Sequence, residues 1–147
     1  MKKSAIFFVA LVCLMVQSVN ALASDKVIPT NKIPGAAHNF VKKNFNNNDI
    51  IFASMDMDFT KITYEVRLDD GTQIEFDSKG NWNNVDCEVK AVPASLVPAS
   101  IANFVKKHYR NASIVKIEKK RFGYEIELSN DLELKFDKAG NVMEIDD

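Results

Sequence analysis

The chain has 147 residues, with 19 basic and 20 acidic side chains, a formal net charge of −1 and 46% hydrophobic residues. That length leaves little room beyond one domain with a real core. The near-neutral balance argues against nucleic acid as a partner, because phosphates are bound by basic surfaces.

The chain opens on a short basic start, Met1-Lys2-Lys3, followed by an apolar run from residue 5 to residue 16. Ala21 and Ala23 then place small residues where a signal peptidase reads them. The run is shorter than the roughly 20 residues needed to cross a bilayer. Residues 1–23 are therefore expected to be a cleaved signal peptide, and the mature protein to be periplasmic or secreted. Cys13 does not suit a lipid anchor, since Val12 precedes it and it lies inside the apolar run. No second long apolar stretch follows, so no membrane anchor is expected after cleavage. Loss of Lys2 and Lys3 leaves 17 basic against 20 acidic residues, a net charge of about −3. Cys87 is then the one remaining cysteine, which excludes an internal disulfide. It reads either as a thiol nucleophile or intermolecular bridge, or as a small buried apolar residue.

A first helix is predicted from Pro34, a residue suited to a helix start. Ala37, Phe40, Val41 and Phe45 share one face of it, and Lys42 and Lys43 lie near its C-terminus, where cations suit the dipole. Residues 50–57 read as a strand. Ile62, Tyr64, Val66 and Leu68 then alternate with Thr63, Glu65 and Arg67, the period of a half-buried antiparallel strand. Asp69, Asp70 and Gly71 make a turn, Ile74 and Phe76 resume the apolar face, and Gly80 and Asn81 turn into a last strand at 82–89. Residues 90–97 read as a linker.

The same order then returns. The segment 33–45 matches 97–109 at six of 13 positions, including Pro98 and the run Asn103-Phe104-Val105-Lys106-Lys107. Tyr64-Glu65 returns as Tyr124-Glu125, and Phe76-Asp77 with Gly80-Asn81 returns as Phe136-Asp137 with Gly140-Asn141. Self-similarity of this kind marks an internal repeat. The expectation is an α+β fold: two tandem helix-plus-four-strand antiparallel units, 28–89 and 98–147. They should form one compact domain, with a roughly eight-stranded sheet and both helices on one face.

Catalytic chemistry is hard to find. The two histidines, His38 and His108, sit on helices at non-equivalent positions, far from any nucleophile motif. Two isolated histidines and one cysteine make no zinc site, and no glycine-rich phosphate loop exists. The segments 77–81 and 137–141 lack the alternating oxygen ligands of a calcium loop and read better as hairpin turns. The reading is a non-enzyme with no cofactor and no metal.

These motifs together resemble the PepSY-like family of exported bacterial proteins: a proline, a helix ending in Lys-Lys and an aromatic, Tyr-Glu-aliphatic-x-Leu, and Phe-Asp-x-x-Gly-Asn. Within that family they resemble the beta-lactamase-inhibitor-like group. The family usually carries proline after the helix-terminal aromatic, where Asn46 and Arg110 stand here. The resemblance implies an eight-stranded sheet whose helix-free face grips a partner enzyme, and it implies a role in restraining peptidases.

The expected function is a non-catalytic protein-binding module, with inhibition of a peptidase or other envelope enzyme as its specific form, acting through the helix-free face. Strand alternation puts Phe52, Glu65, Arg67, Glu75 and Trp82 on that face, with Lys116, Glu118, Glu125, Glu127, Glu133 and Lys135. Aromatics and arginine are the usual anchors of interfaces. The candidate partner-binding residues are Phe52, Arg67, Trp82, Lys116, Lys119, Lys120 and Arg121. Asp56, Asp58, Asp69 and Asp70 suggest an acidic end, and Lys116, Lys119, Lys120 and Arg121 a basic end. The alternative is a small-ligand or envelope-sensing protein with an apolar pocket between sheet and helices.

Overall fold

The computed structural model describes residues 25–146; the expected signal peptide, with Cys13, lies outside the described residues. The chain runs β1 (Lys26–Val27), a 3-10 turn (Thr30–Lys32), α1 (Gly35–Asn44), β2 (Ile50–Asp58), β3 (Lys61–Leu68), β4 (Gln73–Asp77) and β5 (Trp82–Asp86). It continues through a 3-10 turn (Ala94–Leu96), α2 (Ala99–His108), β6 (Ile114–Lys119), β7 (Gly123–Leu128), β8 (Glu133–Asp137) and β9 (Val142–Asp146). All nine strands form one antiparallel sheet, and their order across the sheet is their order in the chain. The expected eight-stranded count is thus corrected to nine. The extra strand, β1, pairs only Lys26 with Met55 and Val27 with Ser54, too short a stretch to leave a periodic signature.

One sheet face is dry. Val66, Ile74, Val85, Ile117, Ile126 and Leu134 lie side by side across six strands, and each is at most 1% exposed. Ala37 and Val41 of α1, with Ile101 and Val105 of α2, close over that face. Phe40 meets Phe76 edge-on at 5.5 Å, and Phe104 meets Phe136 edge-on at 5.6 Å. Edge-to-face contacts of this kind add about 1 kcal/mol each beyond area burial. Each helix is opened by a proline, Pro34 or Pro98, whose carbonyl takes the first helical amides.

The β4–β5 turn locks against α1. The Asp77 carboxylate accepts from the amides of Lys79 and Asn81, both at 2.9 Å, and from the Asn81 side chain at 3.0 Å. Asp137 repeats this with Ala139 and Asn141 in the β8–β9 turn. Gly80 has φ +83°, and a Cβ there would stand 2.9 Å from Ala36 Cβ and from the Ala37 amide. Only glycine lets the tip touch the helix start at that backbone angle. Cys87 is 4% exposed in the core, and burial pushes its thiol up to about 11. The thiol is held protonated, against the nucleophile reading and in favour of the packing one.

Candidate partner-binding face

The opposite sheet face carries no helix. Strand register aligns its side chains in rows that run across the sheet. One row reads Glu65, Glu75, Asn84, Glu118, Glu125 and Lys135 from β3 to β8. The adjacent row reads Phe52, Arg67, Gln73, Asp86, Lys116 and Glu127 from β2 to β7. Directly opposed side chains in such a ladder stand about 5 Å apart, so like charges repel.

Carboxylates dominate the first row. Burial raises the Glu75 carboxyl above its ordinary value, and the neighbouring Glu118 and Glu65 raise it further. Lys120 answers part of this charge, 2.6 Å from Glu118 and 4.0 Å from Glu125. A shallow depression of about 290 Å³ opens beside Glu75, lined by Asp25, Ser54, Asp56, Thr63 and Glu65. Asp56 Oδ1 and Asn84 Oδ1 are buried there and nearby without a hydrogen-bond partner. Arg67 lies 5.6 Å over the Phe52 ring and 3.9 Å from Glu65.

Phe52, Arg67 and Lys116 lie on the open face as alternation predicts. Trp82 does not. A bulge in the β4–β5 ladder takes up Asn83, so that Trp82 pairs with Phe76 and points to the helix side. There it packs 6.2 Å from Phe40. Lys119 is on the same side, its ammonium 3.8 Å from the Trp82 ring centre. The expected basic end is not assembled: Lys119 is turned to Trp82, Lys120 is ion-paired on the open face, and Arg121 is exposed in the β6–β7 turn. The acidic end is split as well. Asp56 and Asp58 flank the β2–β3 turn, whereas Asp69 and Asp70 lie at the far end of β3, where Asp70 binds Lys90 at 3.1 Å. Sequence spacing does not reveal the row of glutamates spanning both halves of the chain as one cluster, because register is set by pairing.

A family model described as "Putative beta-lactamase-inhibitor-like, PepSY-like" matches residues 62–144, more than half of the chain. The chain belongs to the PepSY-like family. Three solved structures share its fold. A "putative calcium-regulated periplasmic protein" from Bacteroides thetaiotaomicron is 41% identical, with a TM-score of 0.79 over 84% of this chain and 97% of its own. A "putative periplasmic protein of unknown function" from Bacteroides vulgatus is 36% identical, with a TM-score of 0.80 over 84% of this chain and 100% of its own. A second B. vulgatus protein, a "putative periplasmic protein from DUF2874 family", is 40% identical, with a TM-score of 0.79 over 84% and 98%. No curated protein matches the chain significantly. Among the described residues, no helix of this PepSY-like protein is long and apolar enough to cross a membrane.

Proposed function

We propose that this protein is a non-catalytic binding module of the periplasm or external medium, which engages a protein partner through its helix-free sheet face. The carrying observation is the carboxylate row from Glu65 to Glu125, fixed in register on a rigid sheet. Such a row suits a cationic patch: complementary charge speeds encounter and selects partners. The inhibitor-like description of the family supports restraint of an envelope enzyme as the outcome of binding. In this reading residues 28–89 and 98–147 are two copies of one unit, joined by 90–97, and the face is their shared product. Phe52, Arg67, Lys116 and Lys120 lie on it; Trp82 and Lys119 support it from behind.

The test is a photo-crosslinker placed at Glu125 on the face or at Lys106 on α2, used on periplasmic extract. The face probe is expected to give a discrete adduct that is lost in high salt. The same adducts from both positions, or none from either, would overturn the reading.

A second reading, a small-ligand carrier, has one supporting feature. A groove of about 290 Å³ runs beside α2, walled by Val92, Val97, Val105, Tyr109 and Ile114, with Lys106 at its rim. It lies along the flank of the helix and not between the layers. Native mass spectrometry of protein purified from its own host separates the two readings by showing a bound mass or a clean apo mass.

Calcium regulation is named for the B. thetaiotaomicron protein, and the two Asp-x-x-Gly-Asn turns of this chain do not offer a free carboxylate for it. The Asp77 and Asp137 carboxylates are occupied by their own turns. Among the described residues, no three carboxylate, imidazole or thiol side chains converge as a metal site.

A further inference from the structure

Residues 60 positions apart hold matching places in the sheet. Gln73, Ile74, Glu75 and Phe76 of β4 pair with Asp86, Val85, Asn84 and Trp82 of β5. Glu133, Leu134, Lys135 and Phe136 of β8 pair with Asp146, Ile145, Glu144 and Val142 of β9, with the bulge at the same step. Their surroundings differ on the other side. The outer edge of β5 is taken by β6, which sets Lys116 opposite Asp86 and Ile117 opposite Val85. The outer edge of β9 is taken by nothing among the described residues. Val85 is accordingly 0% exposed, while its counterpart Ile145 is 49% exposed and Met143 beside it 58%.

We propose that the free edge of β9 is a docking edge for an extended segment of a protein partner, distinct from the open face. The segment sets an aliphatic side chain opposite Ile145 and a lysine or arginine opposite Asp146. The chemistry of the occupant is written in β6, which already meets the same pair of residue types, Val85 and Asp86, in this way. Backbone hydrogen bonds supply affinity in strand addition, and alternate side chains supply the choice of partner. Charge complementarity fixes the sign. Lys135 lies 2.8 Å from Glu144 and 3.3 Å from Asp146, yet both acidic side chains stay about half exposed, at 51% and 48%. They retain acceptor capacity for an incoming cation. They also disfavour a second copy of this chain as occupant, since antiparallel pairing of two β9 edges centred on Glu144 would set it against its twin. Acidic side chains on an edge strand are an ordinary protection against self-association, and here the same charges choose a basic guest.

The test uses the protein from residue 24 onward and a labelled peptide of residues 113–120 carrying Glu118→Lys, which removes the one carboxylate that would oppose Glu144. Anisotropy is expected to show saturable binding, and slowed amide exchange is expected in β9. Ile145→Lys should weaken binding by about tenfold, the value of one buried aliphatic contact. Asp146→Lys should weaken it by about three- to fivefold, as for an exposed ion pair. A peptide that also carries Lys116→Glu should recover that loss against Asp146→Lys alone. Glu125→Gln on the open face should change little. Ile145 is half exposed at an edge, and circular dichroism checks that its variant is folded; Met143→Lys is the second probe of the same edge. A scrambled peptide that binds equally well, or binding indifferent to both Ile145→Lys and Met143→Lys, would overturn the proposal. So would a concentration-dependent dimer of the protein alone that Ile145→Lys abolishes, because the occupant would then be a second copy.

Discussion

At Glu75 the fold holds a half-buried carboxylate between Glu65 and the Glu118 row position, and its pKa is raised, by burial first and by those neighbours next. A carboxyl raised in the folded state favours the native protein fully only below its unfolded pKa, near 4.5. That contribution is lost as pH rises through the folded value. Glu75→Gln should therefore stabilise the protein at pH 7, by at most about 1 kcal/mol given solvent screening at this site. The gain should vanish when melting is repeated near pH 4, and an unchanged melting temperature at both pH values would contradict the assigned strain. Asp77 shows the opposite sign. Burial raises its carboxyl, but hydrogen bonds from Asn81 and Lys79 outweigh that and leave it lowered. Its stabilisation is present above the ordinary carboxylate pKa and lost as acid protonates the folded group. Asp77→Ala should cost about 1 kcal/mol at neutral pH, with the cost shrinking in acid. Cys87, at about 11, should stay unreactive toward thiol reagents at pH 8 in the native protein and react at once in denaturant. Rapid labelling of the folded form would refute the buried-thiol reading.

Among the elements, the β5–β6 ladder joins the two halves of the sheet by three paired positions, from Asn84–Glu118 to Asp86–Lys116. Trp82 and Lys119 extend that contact by a cation–π pair on the helix side. A double-mutant cycle with Trp82→Ala and Lys119→Ala should give a coupling of about 0.5–1 kcal/mol; zero coupling would make Lys119 a bystander. Trp82 also shows where period-two reading breaks. Alternation counted from Val85 puts it on the open face, and the single extra residue Asn83 reverses it. Bulges leave no clear mark in one sequence, because any residue can be the unpaired one. Helices and long strands were legible for the opposite reason. Ala37, Val41, Ile101 and Val105 are spaced so that one stripe meets the core, and the Tyr64-to-Leu68 alternation survives in β3 because that strand is paired on both sides.

For the molecule as a whole, the face proposed for binding was legible in its members and not in its character. Glu65, Glu75, Glu118 and Glu125 fall on the open face by alternation alone, but only lateral pairing makes them one charged row. The expected acidic and basic ends failed for the same reason: residues close in sequence, such as Lys119 and Lys120, leave a strand on opposite faces. Association through this row should slow as salt rises, since screening reaches about 10 Å at 0.1 M. The combined Glu65→Gln and Glu125→Gln variant should flatten that dependence, and an unchanged salt slope would count against the face. The agreement of strand order with chain order bears on how the chain acquires its fold. Each strand from β2 onward pairs with the strand just before it; six of these eight ladders close over tight turns, while β1–β2 and β5–β6 close across a helix. Loop closure is short for those six hairpins and longer, spanning α1 or α2, for the other two, so pairing in chain order keeps most contacts local for a β-rich fold. A chain delivered N-terminus first through a narrow exit can zip up as it emerges, each hairpin closing on a template already laid down.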